Sequence, residues 1–147
     1  MPNVILLEDD DMLGNHLSDK LVLMGHDVLR VTSVLDCLTA LNENDCDLLI
    51  TEFFTNPEAG SIRTSGATIV IAVRFSTAAP SGLNVDPDMP IIVIDGQAAD
   101  EQPLELCRML GASSTLRLPA DDALMTQAIE EVLPHSPRTR SPRLFVA

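Results

Sequence analysis

At 147 residues the chain is the size of one ordinary domain, long enough to bury an apolar core without disulfides or metals. Aromatic residues make up 3% of it, with no Trp and no Tyr, so the core must be aliphatic and no aromatic platform is available for stacking single-stranded bases. A net charge of -13 repels phosphate backbones and anionic lipid, which argues against DNA, RNA and membrane as partners.

Val4 to Leu7 is a short, wholly apolar run, the pattern of a central parallel strand covered on both faces. It stops at Glu8-Asp9-Asp10-Asp11, where one aspartate can cap the helix that follows. Leu13, Leu17, Leu21 and Met24 then share one helical face, and Gly25 is a C-terminal stop. Val28 to Val31 reads as a second strand. Ser33 reads as the cap of a second helix with a stripe of Leu35, Leu38 and Leu41. Asp47 to Glu52 is a third strand, again ending on an acid, and residues 55–65 are a polar loop.

Ala67 to Phe75 is the ambiguous segment. Its β-branched residues favour strand, whereas the alternation of strands and helices along the chain requires helix, and helix is expected because local propensity is a weak constraint. After a loop at 80–90, Ile91 to Ile94 forms a fourth strand ending on Asp95-Gly96. Pro103 to Leu110 is a short helix stopped by Gly111. Ser114 to Leu118 is a fifth strand running into Pro119, and Asp121 to Leu133 is a final helix. The expectation is an α/β fold: a flavodoxin-like, doubly wound five-stranded parallel sheet, order 2-1-3-4-5, with helices on both faces. It occupies residues 1–133. Residues 134–147 are expected to be a flexible basic tail, with Arg138, Arg140 and Arg143 and no acid, so the rest of the chain carries a net of -16.

Cys37, Cys46 and Cys107 show no metal-ligand spacing, and unclustered thiols with no basic, apolar leader suit a reduced, cytoplasmic setting. His16, His26 and His135 are scattered and read as surface residues. Ser61, Ser65 and Ser76 lack a nucleophile elbow, and no glycine-rich phosphate loop occurs. Acids do stand at three strand ends: Glu8-Asp9, Glu52 and Asp95. In an open parallel sheet, sites form beyond the carboxyl ends of the strands, so these carboxylates are expected to converge.

The segments VILLEDDDMLGNHLSDKLVLMGHDV, DLLITEF, PIIVIDG and GASSTLRLPAD, in that order from about Val4 to Leu133, resemble the response-regulator receiver domain. By that resemblance Glu8 and Asp9 match the acidic pair that holds Mg²⁺, with Glu52 as a further ligand. Glu52 also falls at the phosphate-accepting Asp, and Asp95 at a switch hydroxyl. Thr115 falls at the aromatic that reports activation, and Leu118 at the Lys that pairs with the phosphate.

The departures are physical. Lys20 is the only lysine and lies in the first helix, while Arg117 should point away from Leu118's face. Phosphoryl transfer depends on neutralising a dianion, and here a cation is gone and a carboxylate has been added. Ordinary aspartyl phosphorylation is therefore expected to fail. The chain reads as a non-enzymatic signalling module, contacting a protein partner (kinase, phosphotransfer or output protein) or itself, with no required cofactor and at most weak Mg²⁺. Glu52 would act as a constitutive mimic of the phosphorylated group. Two alternatives are a phosphoacceptor receiver using Glu52 or one of Asp9 to Asp11, and a small metal-dependent phosphohydrolase.

Overall fold

A computed structural model describes residues 3–53, 65–77, 83–96 and 102–133. The tail, most of the 55–65 loop, Ser61 and His135 lie outside them. Strands and helices alternate without exception: β1 (Asn3–Leu7), α1 (Asp11–Leu23), β2 (Asp27–Val31), α2 (Val34–Glu43), β3 (Leu48–Glu52), α3 (Ser65–Arg74), β4 (Ile91–Asp95), α4 (Gln102–Leu110), β5 (Ser114–Arg117) and α5 (Asp122–Val132). The strands form one parallel sheet in the order β2-β1-β3-β4-β5, as expected.

Local chemistry accounts for the element ends. Asp10, Ser33 and Asp121 each turn a side-chain oxygen onto a backbone N–H in the first turn of α1, α2 and α5, satisfying donors that a helix start leaves open. Gly25 and Gly111 end α1 and α4 at φ 94° and 116°, a region that side chains with a Cβ avoid.

The sheet divides two aliphatic cores. Ile5, Leu7, Leu49, Ile91 and Val93 point to the side covered by α2, α3 and α4. Val4, Leu6, Leu48, Ile50, Ile92 and Ile94 point to the side covered by α1 and α5. The strict alternation is the two-residue period of a strand. Two-sided burial explains why β1, β3 and β4 read as unbroken apolar runs.

The β-branched segment is a helix because of where it lies. Ile69, Val70 and Val73 of α3 are fully buried against the sheet. A Cβ on Gly66 would come within 2.8 Å of the Phe53 backbone, so the glycine permits α3 to start against the end of β3. One element of the expected α2 stripe is corrected. Leu35 is 73% exposed, and Cys37, Ala40 and Leu41 carry the buried face instead. Cys37 lies three residues before Ala40 and four before Leu41, so it anchors their common face, and Leu35, two residues before Cys37, turns to solvent.

Candidate functional site

β1, β3 and β4 end in register, Leu7 opposite Thr51 and Glu52 opposite Ile94. Glu8, Glu52 and Asp95 therefore emerge at one edge of the sheet, and each is only 1% exposed. Their backbones are held by ladder-like bonds: Glu8 N–H donates to Val31 O, Phe53 N–H to Ile94 O and Leu118 N–H to Asp95 O. The strand-end convergence expected from the sequence is present, and it is buried.

One oxygen of each glutamate has a backbone donor. Asp10 N–H donates to Glu8 Oε1 at 3.1 Å, and Gly96 N–H donates to Glu52 Oε1 at 3.3 Å. The second oxygens, Glu8 Oε2 and Glu52 Oε2, are buried and receive no donor from the described residues. The two carboxyls face each other closely enough to share a hydrogen bond. Burial, then the bond and charge of Glu8, push the Glu52 carboxyl up to about 9, and Asp95 adds to the effect. Burial also raises Glu8, while its bond with Glu52 and the Asp10 N–H work the other way. Burial of both carboxyls so close together favours the protonated form of the pair over two adjacent negative charges.

Asp95 lies between two neighbours that feel its charge, Glu52 and the buried thiol of Cys107, which burial and then Asp95 push up to about 11. Asp9 is half-buried beside Glu8 and opposes its ionisation.

Among the described residues, no cation reaches the carboxyls of the cluster. Lys20 pairs with Asp122 across α1 and α5. Arg30 of β2 donates to Glu8 O and to Asp11 Oδ1, both at 3.0 Å, so it reaches the backbone and the rim of the site but not the Glu8 carboxyl. This clamp is not legible in the sequence, because Arg30 is an ordinary strand residue until β2 pairs with β1. Arg117, opposite Asp95 on the edge strand, is exposed. Leu118 belongs to the α1/α5 core, and a methyl placed on Gly96 would stand 3.8 Å from its Cβ and Cδ1 and 3.6 Å from Leu13 Cδ2. Thr115 is half-buried on β5, its hydroxyl without a partner among the described residues.

The donor set Glu8, Asp9 and Glu52 has the hard oxygens that Mg²⁺ prefers. Its arrangement does not fit the ion. Among the described residues no three His, Cys, Asp or Glu side chains are placed to hold a metal, and the two buried carboxyls turn to each other.

No family model and no curated protein matches the chain. Solved structures do. A response-regulator receiver domain from Clostridium thermocellum is 21% identical, over 90% of this chain and 94% of that one, with a TM-score of 0.71. The chemotaxis protein CheY4 of Vibrio cholerae is 19% identical, over 90% and 99%, with a TM-score of 0.71. The receiver domain of a Pseudomonas aeruginosa sensor histidine kinase, whose structure has a magnesium ion coordinated in the active-site cleft, is 17% identical, over 89% and 96%, with a TM-score of 0.69. The chain has the receiver fold. Among the described residues no helix is long and apolar enough to cross a membrane.

Proposed function

We propose that this chain is a receiver module of two-component signalling that works by protein contact, without aspartyl phosphorylation and without catalysis of its own. The observation that carries the reading is the surroundings of Glu52. By resemblance its carboxyl corresponds to the family's acceptor; it lies against the Glu8 carboxyl, and the side chains nearest to where a Gly96 Cβ would stand are Leu13 and Leu118. An incoming phosphoryl dianion would meet Glu8, Asp95 and an aliphatic wall. Transfer needs the opposite, positive charge preorganised around the equatorial oxygens. A buried Glu52–Glu8 pair is already one fixed state of the site. That supports constant signalling competence rather than switching, although at neutral pH Glu52 carries a proton and is a poor electrostatic copy of a phosphate.

In this reading no cofactor is required, and Mg²⁺ binds at most weakly because it must first displace the shared proton. The partner is a kinase, a phosphotransfer or output protein, or a second copy. The setting is the cytoplasm.

The test is incubation with acetyl phosphate and Mg²⁺, followed by intact-mass measurement and by hydrolysis of a generic phosphate ester. Inertness in both is expected. A mass increase of one phosphoryl group on Glu52 or on one of Asp9 to Asp11 would instead identify a phosphoacceptor. Ester turnover abolished by Asp9→Ala would identify a phosphohydrolase.

A further inference from the structure

The last turns of α2 and α3 bound an open groove of about 430 Å³, walled by Leu38, Ile71, Ala72, Phe75 and Leu83, with Glu43 at its rim. Crossover helices run back against the strands they connect, so the groove lies toward the edge where the strands begin, away from the carboxyl cluster.

The outward side of α3 is apolar. Thr68, Ile71, Ala72 and, just past the helix, Phe75 fall at the three- and four-residue spacing of one face. Phe75 is 57% exposed and Ile71 44%, and none of the four carries a charge. A surface helix ordinarily turns charged or polar residues to water, and an apolar side presented there marks a contact surface.

The surroundings of the groove have one sign of charge. From Val34 to Asp47, and again from Leu83 to Pro90, the charged residues are Asp36, Glu43, Asp45, Asp47, Asp86 and Asp88, all of them acids. The only charged residue of α3, Arg74, gives its guanidinium to backbone carbonyls. Both helices also bring their C-terminal, partially negative ends to the groove, and Glu43, the last residue of α2, adds a carboxylate there.

These features exclude most occupants. A phosphate backbone or an anionic lipid surface would be repelled. A second copy brings the same net charge of -13 and the same acidic border. An open apolar trough with few polar anchors holds a small molecule poorly.

We infer that the α2–α3 groove receives a basic, apolar segment of a partner protein. Aliphatic or aromatic side chains of that segment enter between Leu38 and Ile71 and against Phe75, and flanking Lys or Arg residues lie toward Glu43 and the two helix ends. Burial of the exposed Phe75 and Ile71 surface supplies the attraction. The unlike charges select the partner and set its direction in the groove. The groove is separate from the strand-end carboxyls, so the inference stands whether or not Glu52 accepts a phosphoryl group.

The test is a methyl NMR titration of the full chain with a short synthetic peptide of leucine, phenylalanine and lysine, beside an isostere with glutamate for lysine. Expected with the lysine peptide are saturable shifts of the Leu38, Ile71, Ala72 and Leu83 methyls, with Val22, Leu23 and Leu29 unmoved, and no binding of the glutamate peptide. Phe75→Ser should weaken binding about ten-fold or more, as for an aromatic anchor. Glu43→Gln should weaken it roughly two- to five-fold, as for a charge at a rim, whereas Glu131→Gln, on α5 across the sheet, should leave it unchanged. No shift at the groove, equal binding of both peptides, or equal effects of Glu43→Gln and Glu131→Gln overturns the inference. Shifts of the same methyls on concentrating the protein without peptide also overturn it, because they would assign the groove to a second copy.

Discussion

The two edges of the sheet solve the problem of buried charge in opposite ways. At the edge where the strands end, Glu8, Glu52 and Asp95 are buried with no cation among them from the described residues, and burial beside Glu8 pushes the Glu52 carboxyl up to about 9. At the edge where the strands begin, the half-buried Arg74 is surrounded by oxygens. Arg74 donates to Gly111 O at 2.8 Å, to Pro87 O at 2.8 Å, to Met89 O at 2.7 Å and to Ser113 Oγ at 3.2 Å. Ser113 Oγ also accepts from Ile91 N–H. Arg74 thus ties the end of α3 to the starts of β4 and β5. Desolvation lowers its pKa, and Asp88 and Asp86 oppose that. The difference teaches where charge serves structure and where it is left available. A fully hydrogen-bonded charge rigidifies its surroundings, whereas a carboxyl cluster without a cation is held at a cost the rest of the fold must offset.

If this comparison is right, the largest effect belongs to the satisfied edge. Arg74→Ala should cost about 3 kcal/mol in urea unfolding, since several charge-assisted bonds vanish and their carbonyls remain buried. Arg74→Lys should fall between, because an ammonium cannot reproduce the planar fork. A loss below about 1 kcal/mol for the alanine variant would mean that the edge is not pinned as described.

The next effect has the opposite sign. Glu52 has a raised folded-state pKa, so its contribution to stability is complete below its unfolded value of 4.5 and is lost as pH rises towards about 9. Over that window the unfolded chain ionises Glu52 and the folded chain does not, so unfolding releases a proton. Glu52→Gln keeps the shape and a donor for Glu8 while removing that loss. It should stabilise the protein by about 1–3 kcal/mol at pH 8 and by almost nothing at pH 4. Thermal unfolding at the two pH values decides, and a stabilisation of equal size at both would break the account.

The smallest effect tests the missing cation directly. Leu118→Lys should lower the Glu52 midpoint by about 1 unit, at the modest end for a nearby opposite charge because the lysine stem is flexible. Carbon-13 NMR of the Glu52 carboxyl reads it, and an unmoved midpoint would show that position 118 does not face the site.

Much of this was legible in the sequence. Wholly apolar runs at Val4, Leu48 and Ile91 can only be strands buried on both faces, and an acid at the end of each leads to the strand-end cluster. The cap at Ser33 and stops at Gly25 and Gly111 were equally plain, because they rest on the local backbone. That Lys20 could not serve the site followed from its place in the first helix. What the sequence could not contain were the facts that depend on contact between distant segments. The segment Ala67 to Val73 is helical because it lies over β3, against its own β-branched preference. Leu35 faces solvent because Leu41 fixes the rotation of α2. Arg74 becomes a staple only when the segments around Pro87 and Gly111 meet it, and the Glu52 carboxyl is pushed up only once the fold buries it and β1 brings Glu8 against it. Pattern and capping are local properties of a chain; protonation, and which charges find partners, belong to the assembled fold.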